Sequence, residues 1–104
     1  MNAYERLLKY VVIRTPSNEE SETTPSSQCQ FDLANVLKKE MEELGICDVT
    51  LTDTCFLYGK IPATPGCENA PAIGFIAHMD TVSDYCDHDI KPVITRNYDG
   101  EALA

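Results

Sequence analysis

The chain has 104 residues, a length that favours a single domain with a modest hydrophobic core. Its formal net charge is -9, from 17 acidic and 8 basic residues, and this excess argues against binding to nucleic acid or anionic membranes. No apolar run is long enough to cross a bilayer and the N-terminus lacks a signal-peptide pattern, so we expect a cytoplasmic protein.

Two helical patterns occupy the first part of the chain. Apolar residues at helical spacing predict a helix over residues 3–13, which ends near Pro16 because the residue before a proline avoids helical angles. A clearer stripe predicts a second helix up to Gly45, which stands where a left-handed residue ends a helix. The stripe consists of Phe31, Ala34, Leu37, Met41 and Leu44.

The segment between these helices, residues 15–27, is polar and rich in proline and serine. Such a composition is typical of a flexible linker, but a loop of this length between two helices can equally serve a site. The composition does not distinguish these two interpretations.

Strand patterns follow the second helix. Residues 47–53 and 55–63 predict a hairpin with a tight turn around Asp53-Thr54. The run "AIGFIA", residues 72–77, is short, apolar and without alternation, which predicts a strand buried on both faces. The last pattern, residues 90–100, predicts a short strand that ends in a turn.

The order of helices and strands indicates an α/β fold with a helix-flanked mixed sheet that is at least partly parallel. A strand covered on both faces needs more neighbouring strands than this chain supplies. We therefore expect these residues to be the front of a longer protein.

The predicted strand over residues 72–77 leads directly into His78 and Asp80. Residues two apart on an extended strand point the same way, so the imidazole and the carboxylate are expected to project together. A histidine that binds a metal through one nitrogen usually donates its other N–H to a carboxylate, and His-x-Asp supplies both groups. The tripeptide alone also fits a strand that simply ends in polar residues.

The residues around this tripeptide carry a resemblance to a known family. "PAIGFIAHMDTVSD", residues 71–84, resembles the first metal motif of the co-catalytic zinc peptidases, and in particular that of the peptidase T family of tripeptide aminopeptidases. "LLKYVVIRTPS" is similar to that family's opening helix, and "FDLANVLKKEMEELGICDVTLTD" to its second helix and first strand. The resemblance covers essentially the whole chain but only the front part of a family member.

The resemblance implies a role for each residue of the pair. His78 would be a ligand to one of two Zn²⁺ ions, and Asp80 would be the active-site aspartate that orients it. The complete enzyme would hydrolyse tripeptides at the N-terminal residue. Residues 1–104 would then be the N-terminal portion of the catalytic domain, without the lid domain used for homodimer formation. The family's bridging aspartate, general-base glutamate and remaining ligands would lie further along a complete chain.

Other polar residues near the motif fit ordinary loop positions. His88 stands between two acids and is interpreted as a solvated loop histidine, and Asp84 and Asp87 as loop acids. Cys86 has no adjacent base in the sequence, which a nucleophilic cysteine needs. All five cysteines are expected to be free thiols, because their number is odd and no C-x-x-C pair is present.

Three functional hypotheses remain at this stage. The first is a zinc-dependent tripeptide aminopeptidase, and the second is a related zinc dipeptidase, carboxypeptidase or deacylase. The third is a non-catalytic α/β module that acts by binding. Under either enzyme hypothesis the 104-residue chain alone is expected to be inactive, because catalytic zinc needs three protein ligands.

Overall fold

The structure is a computed structural model that describes residues 1–86 and 89–103. Its helices and sheet confirm the α/β class, and the described strands form one antiparallel pair. None of the helices in the described residues is long and apolar enough to span a membrane. The elements, in chain order, are α1 (Ala3–Tyr10), α2 (Gln30–Glu43), β1 (Cys47–Leu51), β2 (Leu57–Lys60) and α3 (Ser83–Cys86).

Helix α1 starts and ends through local hydrogen bonds. The Asn2 backbone N–H donates to the Glu5 carboxylate over 2.6 Å, which satisfies one of the free donors at the N-terminus. The helix ends at Tyr10, three residues before the predicted Ile13, and Ile13 N–H closes a tight turn onto the Tyr10 carbonyl at 2.9 Å. The prediction of this helix is confirmed, with an earlier end.

Helix α2 ends as the sequence predicted, at a glycine. Gly45 has φ +78°, the left-handed conformation that glycine adopts without steric cost. Its N–H donates to the Glu42 carbonyl, and the Ile46 N–H donates to the Met41 carbonyl, both over 3.0 Å. These two bonds form a Schellman motif, which satisfies carbonyls at the helix end and turns the chain into β1.

The hairpin over β1 and β2 is also confirmed. Leu51 pairs with Leu57 and Thr50 with Tyr58, while an irregularity shifts the register before Cys47 meets Lys60. Helix α2 packs against this hairpin. Close packing centres on Gly59, where a methyl group in place of the hydrogen would lie 2.3 Å from the Met41 side chain and 2.6 Å from Ile46.

A buried carboxylate joins the two long helices. Glu40 on α2 is 7% exposed, and it accepts hydrogen bonds from Lys9 Nζ at 2.6 Å and from the Tyr10 hydroxyl. Arg6 Nη1 lies 3.4 Å from the same carboxylate. The hydrogen bond from Lys9, followed by that from Tyr10 and the attraction of both cations, lowers the pKa of Glu40. This network holds α1 on α2.

The strand predicted over residues 72–77 is not formed, and that prediction is wrong for this structure. Phe75 is 95% exposed and Ile76 is fully exposed. A strand needs a neighbour to satisfy its backbone donors and acceptors, and within the described residues no strand lies beside this segment. The strand predicted over residues 90–100 is likewise absent from the described part of that segment.

The chain is consequently more open than a finished domain of its size. Its accessible surface is 8643 Å², compared with about 5,800 Å² expected from its mass. Its radius of gyration is 17.2 Å, compared with about 13 Å expected for its length. Within the described residues the buried apolar core is small and consists of Leu33, Ala34 and Cys55.

Candidate functional site

His78 and Asp80 contact each other directly. The Nδ1 atom of His78 lies 2.8 Å from the backbone carbonyl oxygen of Asp80 and 3.1 Å from its carboxylate Oδ1. Both partners are acceptors, so Nδ1 carries the proton and donates to them. The lone pair of the neutral ring is then on Nε2. The structure therefore brings together the two residues that the sequence singled out.

The imidazole is open to solvent, whereas the carboxylate is partly covered. The His78 side chain is 84% exposed and that of Asp80 is 46% exposed. A ring with one nitrogen held by a carboxylate and the other free has the arrangement that histidine ligands of metals usually show. The arrangement can present one neutral nitrogen ligand to a cation.

A short parallel bridge fixes the backbone next to this pair. Pro16 pairs with Thr81, the only parallel pairing among the described residues. The Thr81 N–H donates to the Thr15 carbonyl, and the Ser17 N–H donates to the Thr81 carbonyl, both over 2.9 Å. The Ser17 hydroxyl adds a third bond to the Thr81 carbonyl at 3.2 Å. This bridge is isolated and lies outside the antiparallel pair, so the partly parallel sheet that we expected is not formed by the described strands.

Side chains alternate across the bridged segment. Met79 and Thr81 line an apolar cavity of about 230 Å³, whose other walls include Tyr10 and Leu33 from the helices. His78 and Asp80, at the intervening positions, contact each other instead. The segment is thus extended in the sense that the sequence predicted, although it is held by the loop after α1 and not by a sheet.

The described residues offer only part of a metal site. No group of three or more histidine, cysteine, aspartate or glutamate side chains comes together among them. Catalytic zinc is held by three protein ligands. His78 fits one of these by its free nitrogen, and Asp80 fits the carboxylate behind it.

The other polar residues near the motif are described only in part by the structure. Asp84 lies in the short helix α3 and not in a loop as predicted, and it is exposed and lines a polar cavity together with Ser17, Glu19 and Glu20. Asp87, His88 and the side chain of Cys86 lie outside the described residues, so the loop interpretation of His88 and Asp87 stays a prediction. The cysteines in the described part are all free thiols, as expected: Cys29, Cys47, Cys55 and Cys67.

Sequence reasoning missed the residues that hold the pair in place. Thr15 is 3% exposed and its hydroxyl lies 3.4 Å from that of Thr81, a contact across 66 positions that no local pattern reveals. The sequence indicated only that the polar segment over residues 15–27 is either a flexible linker or a loop that serves a site. The start of that segment bonds to Thr81, the residue directly after Asp80.

Comparison with known proteins gives a consistent result. No family model matches the chain. It is 44% identical over 103 residues to Peptidase T of Alkaliphilus oremlandii, an alignment that covers 98% of this chain. It is 47% identical over 99 residues to Peptidase T of Desulfitobacterium hafniense and 39% identical over 99 residues to Peptidase T of Bacillus cereus.

These alignments cover the present chain almost fully but the relatives only in part. They span 25% of the Alkaliphilus protein and 24% of each of the other two. The chain therefore spans about a quarter of the length of the curated relatives that it matches.

Proposed function

Since this chain is a homologue of Peptidase T along nearly all of its length, we propose that it supplies the first metal-binding segment of a zinc-dependent tripeptide aminopeptidase. The observation that carries the proposal is the contact between His78 Nδ1 and Asp80, which leaves Nε2 free on an exposed ring. In this proposal His78 is a ligand to one of two Zn²⁺ ions and Asp80 orients it.

The two residues have distinct chemical tasks. Asp80 accepts the Nδ1 proton, which fixes the tautomer of His78 and makes Nε2 a more basic ligand. The Asp80 backbone carbonyl accepts from the same N–H and restricts rotation of the ring. The metal pair, when bound, supplies Lewis-acid polarisation of the scissile carbonyl and a water molecule of lowered pKa.

The proposal extends to the organisation of the whole protein. Residues 1–104 are the N-terminal portion of the catalytic domain, and the remaining ligands, the general base and a lid domain for homodimer formation come from elsewhere in the complete enzyme. The small core and large exposed apolar area of residues 61–80 support this assignment, because a finished domain buries such side chains. We place the complete enzyme in the cytoplasm, acting on small peptides.

The test uses the natural protein that carries this chain, loaded with Zn²⁺. We expect it to release the N-terminal residue from a tripeptide with a free amino group, and to act poorly on the matching dipeptide and on N-acylated amino acids. His78→Gln should lower kcat/KM by at least about a hundredfold, and Asp80→Asn by about ten- to a hundredfold.

The matched control is His88→Gln, which changes the only other histidine of the chain. We expect activity close to that of the unmodified protein, because His88 is interpreted as a loop residue. Equal losses in the His78 and His88 variants would contradict the assignment of the ligand. Preferred turnover of dipeptides or acyl-amino acids would favour a related hydrolase, and absence of zinc binding would favour a non-catalytic module.

The isolated 104-residue chain provides a second control. With a single candidate imidazole ligand it should show no tripeptide turnover at any Zn²⁺ concentration. Turnover by a contaminant-free preparation would show that the ligand set is complete within these residues, against the proposal.

A further inference from the structure

The backbone on the N-terminal side of His78 lacks anchoring. Residues 61–78 are exposed throughout. Among the described backbone hydrogen bonds, none involves the stretch between the Ala70 N–H and the Thr81 N–H. Thr81, the residue after Asp80, is therefore the first point at which this stretch is fixed to the body of the protein.

The partner at that point is the loop immediately after α1. Thr15 and Ser17 hold both backbone groups of Thr81, one through a carbonyl and the other through an N–H, each over 2.9 Å. Thr15 is 3% exposed, so its part of this contact is shielded from water. These two bonds engage the peptide units on both sides of the Thr81 Cα and so restrict the backbone direction there, as in a ladder of paired strands.

The consequence for the metal-binding pair is geometric. With Thr81 fixed in extended backbone, Met79 and Thr81 face the apolar cavity beside Tyr10 and Leu33, and the alternate residues take the other side. A segment without this bridge could rotate, because His78 and Asp80 otherwise contact only each other among the described hydrogen bonds. Metal ligands lose affinity when the groups that orient them are removed.

We propose that Thr15 and Ser17 are positioning residues, which hold Thr81 so that His78 and Asp80 face the metal together. The role of these residues toward the metal rests on the proposed function, whereas the bridge itself is observed independently of it. Neither residue touches substrate or metal in this proposal. They act through the backbone of Thr81, and the Thr15 hydroxyl adds a side-chain contact of 3.4 Å to the Thr81 hydroxyl.

The decisive variant is Ser17→Pro in the natural protein. Proline removes the N–H that donates to Thr81, and it suits the extended bridge conformation of the preceding Pro16. Ser17→Ala is the matched control, because it retains the N–H and loses only the hydroxyl bond of 3.2 Å. A second pair, Thr15→Val and Thr15→Ser, removes or retains the hydroxyl that lies against Thr81.

Four measurements do not depend on activity. The ¹⁵N signals of the His78 ring in the metal-free protein, assigned by their loss in His78→Gln, report the proton on Nδ1. The rate of amide hydrogen exchange at Thr81 reports whether its N–H is still bonded to the Thr15 carbonyl. Competition with a chromophoric chelator reports the affinity for Zn²⁺. Thermal unfolding shows whether each variant folds.

For Ser17→Pro we expect faster exchange at Thr81, partial loss of the Nδ1–H form and zinc affinity lowered on the order of tenfold. Ser17→Ala should change the affinity by less than about threefold. Thr15→Ser should restore what Thr15→Val loses. In the active enzyme the loss should appear in kcat more than in KM, because the substrate contacts are unchanged.

A folded Ser17→Pro variant with unchanged ring signals and unchanged zinc affinity overturns the inference. Should that variant not fold, Thr81→Pro decides in the same way, because it removes the N–H that donates to the Thr15 carbonyl, whereas Thr81→Val keeps it. Lower zinc affinity in the proline variant than in the valine variant supports the inference, and equal affinity of the two overturns it. Failure of the natural protein to hydrolyse tripeptides refutes the proposed function alone, because the ring signals and the exchange at Thr81 still test the positioning.

Discussion

Residues 3–60 and residues 61–80 differ in where their partners lie along the chain. Helix α2 and the hairpin follow one another directly in the sequence, and they pack against each other. The segment over residues 72–77 is at least as apolar, yet Ile73 is 81% exposed. The difference teaches that an apolar segment becomes a buried strand only where another strand pairs with it. A hairpin meets this condition most easily, because its two strands are neighbours in the sequence.

The largest expected effect is in amide hydrogen exchange of the isolated chain. Amides of α2 and of the β1–β2 hairpin should exchange at least about a hundredfold more slowly than those of residues 72–77, a difference of about 3 kcal/mol in opening free energy. Equal protection of the two regions would mean that residues 72–77 do form paired structure. In the natural protein we expect residues 72–77 to become protected, because the remaining chain would supply neighbouring strands.

Two glycines sharpen the comparison. Gly59→Ala should lower the free energy of unfolding by about 1–3 kcal/mol, because the new methyl would overlap Met41 and Ile46. Gly74→Ala is the matched control in the open region, where nothing lies within 4 Å of the added carbon. Urea unfolding of both variants measures the difference, and a Gly74→Ala variant as unstable as Gly59→Ala would contradict the open arrangement.

The Glu40 network gives a smaller effect with a defined pH dependence. Glu40→Gln should cost about 1–2 kcal/mol at pH 7, because a carboxylate bonded to Lys9 and Tyr10 becomes a weaker neutral acceptor. The pKa of Glu40 is lowered from its ordinary value of 4.5, so its stabilising contribution is present above that pH and disappears as the pH falls through the lowered value.

Urea unfolding at pH 7 and at about pH 3 checks this sign, since the difference between the unmodified chain and Glu40→Gln should shrink on acidification. Glu42→Gln is the control, because Glu42 is half-exposed and its carboxylate, within the described part of the chain, pairs only with Lys38 on the same helix. A loss in the Glu42 variant equal to that in Glu40→Gln would argue against a specific link between α1 and α2.

Local patterns predicted the elements whose contacts are local. The apolar stripe and Gly45 predicted α2 and its end, because both depend on a few neighbouring residues. The hairpin followed for the same reason. The extent of α1 was overestimated by three residues, since its apolar positions continue beyond the point where its hydrogen bonds stop.

The candidate site was predictable in part. His78 and Asp80 could be paired from their spacing, because residues two apart on extended backbone share a side, and the structure brings them within 3.1 Å. Their roles toward zinc stay a prediction. The contribution of Thr15 and Ser17 was not predictable, because it depends on a contact between two loops more than sixty residues apart.

By itself, the sequence determined α1, α2, the hairpin and the His78–Asp80 pair, since each depends on periodicity or spacing over a short stretch, whereas the four-residue helix α3 was not predicted. Only the tertiary structure decided that residues 72–77 stay uncovered and that the loop after α1 holds Thr81. The physical reason is that backbone donors and acceptors pair with whichever segment lies close in space. The local sequence pattern does not predict which segment that is.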